Sequence, residues 1–89
     1  MFTVIYFASA KQATGLSTEK LEFPDQNGTV ESISVKELFV FLERKHQKLK
    51  DKKILSSVAV AVNLEYIDME RDRIKPGDKV AIIPPVSGG

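Results

Sequence analysis

The spacing of apolar residues changes several times along this chain, and each spacing implies its own element. Residues 2–8 form a near-continuous apolar run, rich in aromatic and β-branched side chains around Val4, Ile5 and Tyr6. That composition predicts a strand buried on both faces and central in a sheet. Residues 9–14 read as a short helical turn with Ser9 as its cap, closed by Gly15 in the left-handed region. Residues 18–23 then alternate, with Leu21 and Phe23 inward and Lys20 and Glu22 outward, until Pro24 ends the strand. A loop over residues 25–33 follows, with Asn27-Gly28 as its turn.

The helical period is clearest after it. Ser34 and Glu37 have capping-box spacing, and Val35, Leu38, Phe39, Leu42, His46 and Leu49 recur on one face, predicting a helix from Ser34 to about Lys48. Residues 57–63 return to strict alternation around Val58, Val60 and Val62, a second central strand. The chain turns at residues 63–65 into a short strand over residues 66–68, a tight hairpin. Residues 70–73 read as charged loop. Lys75-Pro76-Gly77-Asp78 has Pro and Gly where a type II turn needs them, and residues 79–83 make the last strand. One long helix against several strands is an α+β, two-layer plan. The domain spans residues 1–83, and residues 84–89 form a tail.

That tail changes the picture. Pro84 and Pro85 fix the backbone extended and offer no N–H for pairing, so they aim the chain away from the body. Val86 and Ser87 are small, and Gly88 and Gly89 carry no Cβ, which makes a filament narrow enough for a channel that excludes side chains. Six residues reach roughly 20 Å at about 3.3–3.6 Å each. The tail is long enough to place the carboxylate of Gly89 inside another protein's active site.

Composition narrows the chemistry. Eighty-nine residues, 43% hydrophobic and 28% charged, suit a single domain with a modest core. Thirteen basic against twelve acidic side chains give a net charge of +1, so no global field draws the chain to nucleic acid or to a membrane. Residues 44–53 hold six Lys/Arg and one His, read as a solvated helix end because no aromatic residues interleave the charges. The absence of cysteine excludes disulfides and thiolate zinc sites and fits a reducing compartment. His46 is the only histidine, so neither a metal site nor a Ser-His nucleophile is expected; Ser87, without a base, is a spacer. No leader or membrane span is evident, and a cytoplasmic location is expected.

Residues 77–89, ending Ile82-Ile83-Pro84-Pro85-Val86-Ser87-Gly88-Gly89, together with Val4-Ile5-Tyr6-Phe7-Ala8 and Ala61-Val62-Asn63, resemble the small, sulfur-carrying subunits of molybdopterin synthase. The resemblance runs from end to end. It implies a β-grasp (ubiquitin-like) fold, a mixed sheet of about five strands covered by one main helix. It also implies that an E1-like enzyme uses ATP to adenylate Gly89 and that sulfur then replaces AMP. The thiocarboxylate would be donated to cyclic pyranopterin monophosphate to build the molybdopterin dithiolene. The implied partners are the synthase's large subunit, in a heterotetramer of two small and two large subunits, and the adenylating and sulfurating enzyme. No cofactor is expected on this chain itself, and no independent active site. By position in the family's motif, Phe7, Tyr66 and Ile83 form the partner-docking patch, while Pro84, Pro85, Val86, Ser87 and Gly88 insert into the partner.

Other readings share parts of these features. A ubiquitin-like modifier or a thiamine-pathway sulfur carrier would also use Gly89, though without the diproline. A β-grasp binding module would not use Gly89 at all.

Overall fold

The computed structural model describes residues 1–22 and 31–85. The expectations for Phe23, Pro24 and the Asn27-Gly28 turn, and for Val86 to Gly89, lie outside those residues.

Strand β1 (Phe2–Tyr6) runs antiparallel to β2 (Thr18–Leu21), with Phe2 opposite Leu21 and Val4 opposite Glu19. Its other edge pairs in parallel with β7 (Lys79–Ile83), Val4 opposite Val80 and Tyr6 opposite Ile82. Beyond β7 lie β4 (Ala59–Val62) and β5 (Glu65–Tyr66), each antiparallel to its neighbour, so the sheet order is β2-β1-β7-β4-β5. The two strands at the ends of the described chain are thus neighbours inside the sheet, with β7 at its middle. This is the β-grasp arrangement.

Strand periodicity sorts the side chains. Phe2, Val4 and Tyr6, with Val60, Val80 and Ile82, point to one face and are nearly solvent-free. Helix α2 (Val35–Lys45) covers that face with Leu38 and Leu42, both fully buried, and with Phe39 packed at the margin. Burying one such leucine stabilises by about 1.5–3 kcal/mol. The capping box is present: Ser34 Oγ accepts from the Glu37 amide at 3.0 Å, and Glu37 Oε1 accepts from the Ser34 amide at 3.2 Å.

Several expectations change. β1 is buried on one face only; Thr3 and Ile5 on the other are half-exposed. Helix α1 (Ala8–Thr14) is capped by Phe7 without a side-chain bond, and Ser9 lies inside it. The Phe7 amide donates to the Ile82 carbonyl at 3.2 Å, so the strand ladder runs to Phe7 and the helix begins directly after it, earlier than a Ser9 cap would place it. Gly15 closes α1 at φ 75°, as expected. Ile33 is a buried core residue rather than loop: strand β3 (Ile33–Ser34) pairs with β6 (Arg73–Ile74) in a small second sheet, which also takes Arg73 out of the charged loop.

The long helix stops early. It ends at Lys45, His46 is extended at φ −126°, ψ 91°, and a separate helix α3 (Gln47–Asp51) follows with Leu49 buried. The break has a tertiary cause. His46 Nε2 lies 2.8 Å from Glu19 Oε1, which also accepts the Tyr6 hydroxyl at 2.7 Å, while Lys45 Nζ sits 3.1 Å from Glu19 Oε2. An ionised carboxylate only accepts, so His46 Nε2 carries the proton. The imidazole also meets the Tyr6 ring edge-on, with centroids 5.9 Å apart. Burial would push the Glu19 carboxyl up, but the hydrogen bonds from His46, Tyr6 and Lys45 outweigh it and hold the group below its ordinary value. Burial first, then the bond to Glu19 and its charge, push the Tyr6 phenol far up. His46 thus serves as a strut between helix and sheet.

Candidate functional site

The sheet face opposite α2 has no helix over it among the described residues, and its side chains fall in rows set by strand register. One row crosses four strands: Ile5 opposite Ala81, Ala81 opposite Ala61, and Ala61 opposite Tyr66. Two alanines between two large side chains make a trough. Toward the start of β7 the parallel row is polar, Lys20 and Lys79 flanking Thr3. Toward the end of β7 it is apolar, with Phe7 and Ile83. The face is therefore graded, from charged to apolar, in the direction in which β7 runs to Pro84.

Phe7, Tyr66 and Ile83 all line this concavity, of about 250 Å³, with Ile5, Ala61 and Ala81 beside them. The structure brings together the three residues that the family motif singles out. Phe7 is 47% exposed and Tyr66 75%, while Ile83 is half-buried. Exposed aromatic and aliphatic side chains are thus gathered around one depression. Lys79 is the one charged side chain in the lining, and it makes no ion pair among the described residues.

The tail's root differs from expectation. Pro84 is buried and only Pro85 is exposed, so the described chain still lies against the body at Pro84. Both prolines border a second, more polar cleft of about 270 Å³ whose other walls include Gln12 of α1, Lys52, Lys53 and Ile54. Of the basic segment at residues 44–53, Lys45 is tied to Glu19, while Lys52 and Lys53 stand at this cleft. Among the described residues no cluster of His, Asp and Glu is placed to hold a metal, and no helix is long and apolar enough to cross a membrane.

The sequence reading missed Leu64. The hairpin between β4 and β5 turns on Asn63 and Leu64, both at positive φ, 51° and 74°. Such a pair marks a type I′ turn, which normally selects Asn followed by Gly. Asn63 fits, and its side chain is clamped: Nδ2 donates to Asp78 Oδ1 at 3.0 Å, and Oδ1 accepts the Lys79 amide at 3.0 Å. Leu64 does not fit, and it is 99% exposed on the rim of the concavity. The available clue was a two-residue hairpin loop whose second residue is not glycine.

The ThiS family model matches residues 4–89. Among relatives, the molybdopterin synthase sulfur carrier subunit of Pyrenophora tritici-repentis is 44% identical over 92 residues, covering 99% of this chain and 89% of that protein. The protein of the same description from Homo sapiens is 32% identical over 88 residues, covering 97% and 91%. Among solved structures, SAMP1 from Haloferax volcanii superposes with a TM-score of 0.76 over 99% of this chain and 98% of its own, at 21% identity, a likeness of fold. A complex of subunits 1 and 2 of the molybdopterin-converting factor from Helicobacter pylori contains a chain 26% identical, with a TM-score of 0.63 over 99% of this chain and 97% of that one.

Proposed function

Because the chain belongs to the ThiS family, among its molybdopterin synthase sulfur carrier subunits, we propose that it carries sulfur on the carboxyl group of Gly89 and delivers it to the large subunit of that synthase. One observation carries the reading. Ile83 lines the apolar concavity and immediately precedes Pro84 and Pro85, so a protein docked there has the root of the tail at the edge of its footprint.

A carboxylate is a poor electrophile, and ATP-dependent adenylation by an E1-like enzyme makes it reactive by giving it AMP as leaving group. Sulfur displaces AMP. The resulting thiocarboxylate is ionised at neutral pH and nucleophilic, doing what a cysteine thiolate does in a chain that has none. In the transfer the thiocarboxylate sulfur bonds to a carbon of cyclic pyranopterin monophosphate, and water then cleaves the bond between that sulfur and the Gly89 acyl carbon, leaving sulfur on the precursor and returning the tail as carboxylate. Two sulfurs per dithiolene require two deliveries, which a heterotetramer of two small and two large subunits supplies. On this reading Val86, Ser87 and Gly88 thread the partner, the acid-base groups belong to the large subunit, and the cytosol is where the chain works. No cofactor is required on the carrier itself.

The test is reconstitution with the activating enzyme, a sulfur donor, the large subunit and precursor. The full chain should acquire the mass of a thiocarboxylate and convert precursor; a chain lacking Gly89 should do neither, while still binding the large subunit. Conversion without Gly89 would overturn the proposal. A mass increase of whole protein partners would instead identify a modifier.

A further inference from the structure

Leu64 combines two unfavourable features that nothing among the described residues offsets. Its backbone is in the left-handed region at φ 74°, where a Cβ crowds the following carbonyl, and its side chain is 99% exposed. A Gly or Asn would relieve the first and remove the second. The turn is nonetheless rigid, because Asn63 is bonded to Asp78 and Lys79 through its side chain and to the Lys79 carbonyl through its amide at 2.8 Å. Asp78 is fixed in turn by accepting the Lys75 amide at 2.8 Å. The leucine therefore stands on a stiff platform, pointing away from the core, beside Tyr66 on the rim of the concavity.

We infer that Leu64 is an apolar anchor of the docking surface, held outward by the Asn63 turn to fill a pocket on the large subunit. The inference rests on the docking reading above and extends it to a residue outside the Phe7, Tyr66 and Ile83 patch. Leu64 is continuous with that patch, and the lining carries positive charge only, from Lys79. The matching surface is accordingly apolar, with a carboxylate facing Lys79. A preorganised anchor gains affinity because little freedom remains to be lost on binding.

The prediction has opposite signs in two measurements. Leu64→Asn, which tolerates the left-handed backbone, should leave the thermal midpoint of the free chain unchanged or raise it, yet weaken binding to the large subunit about tenfold or more. Leu64→Met, which keeps an apolar side chain, should bind within about threefold of the parent. Tyr66→Asp serves as the control for the docking reading. If Leu64→Asn binds like the parent while Tyr66→Asp binds weakly, Leu64 is no anchor and the docking reading stands. If neither variant loses affinity, the docking reading falls and takes the anchor with it. A clear drop in the thermal midpoint of Leu64→Asn would also overturn the inference, by giving the leucine a role in the isolated fold.

Discussion

The two faces of one sheet make opposite use of the same strands. On the covered face, Val4, Val80 and Ile82 are fully buried beneath Leu38 and Leu42. On the open face their neighbours Ile5, Ala81 and Ile83 line a shallow concavity with Phe7 and Tyr66. Strand alternation alone separates the residues that stabilise the chain from those that would meet a partner. Stability and recognition should therefore be separable by mutation, one residue step apart.

The largest effect should come from the covered face. Leu38→Ala removes a fully buried side chain and should lower the unfolding free energy by about 2–5 kcal/mol in a denaturant titration, with the remaining folded protein binding the large subunit normally. Next comes Tyr66→Asp, which places charge on the apolar wall of the open-face concavity. Calorimetry should record a loss of about 2 kcal/mol in binding, against a stability change within about 0.5 kcal/mol. Loss of folding would move Tyr66 to the other side of the comparison. Lys79→Glu should act more weakly still, reducing the association rate and its salt dependence while leaving dissociation nearly unchanged.

The smallest effect is a pH dependence confined to the covered face. Because Glu19 has a lowered folded-state value, its contribution is present above about pH 4.5, the ordinary value for the group, and is lost as pH falls through the lower folded value. Below pH 4.5 the unfolded chain takes up the proton first. The stability advantage of the parent over Glu19→Gln should shrink as pH falls from 5 toward 3, and a constant difference would show that the carboxylate's charge does not matter there.

What was legible in the sequence was local. Ser34 and Glu37, three residues apart, form the capping box; Gly15 and Gly77 take the positive φ that their turns demand; Lys79–Ile83 is the strand expected. The motif residues Phe7, Tyr66 and Ile83 converge because period-two alternation and sheet register place them together. What escaped was decided by distant partners. The helical spacing runs through His46, and nothing near it reveals that Glu19, 27 positions earlier, draws the imidazole into a bond that breaks the helix. β3 and β6 are two residues each, too short to show a period, and pair only because the fold brings them together. The burial of Pro84 likewise depends on elements remote in sequence.

The placement of β7 bears on how the chain is made. β1 with β2, and β4 with β5, are antiparallel pairs that assemble from nearby sequence, but they do not touch each other in the sheet; β7 lies between them and bonds to both. Of the described strands it is the last to leave the ribosome, and its pairing with β1 closes the longest loop in the sheet. Until it arrives there are only two separate ribbons, each exposing apolar surface. The concavity and the root of the tail come into existence together with that closure, since Ala81, Ile83 and Pro84 belong to the same segment. A chain in which β7 has not yet paired thus lacks both the concavity and the seat of Pro84, so one strand closure assembles the two features at once.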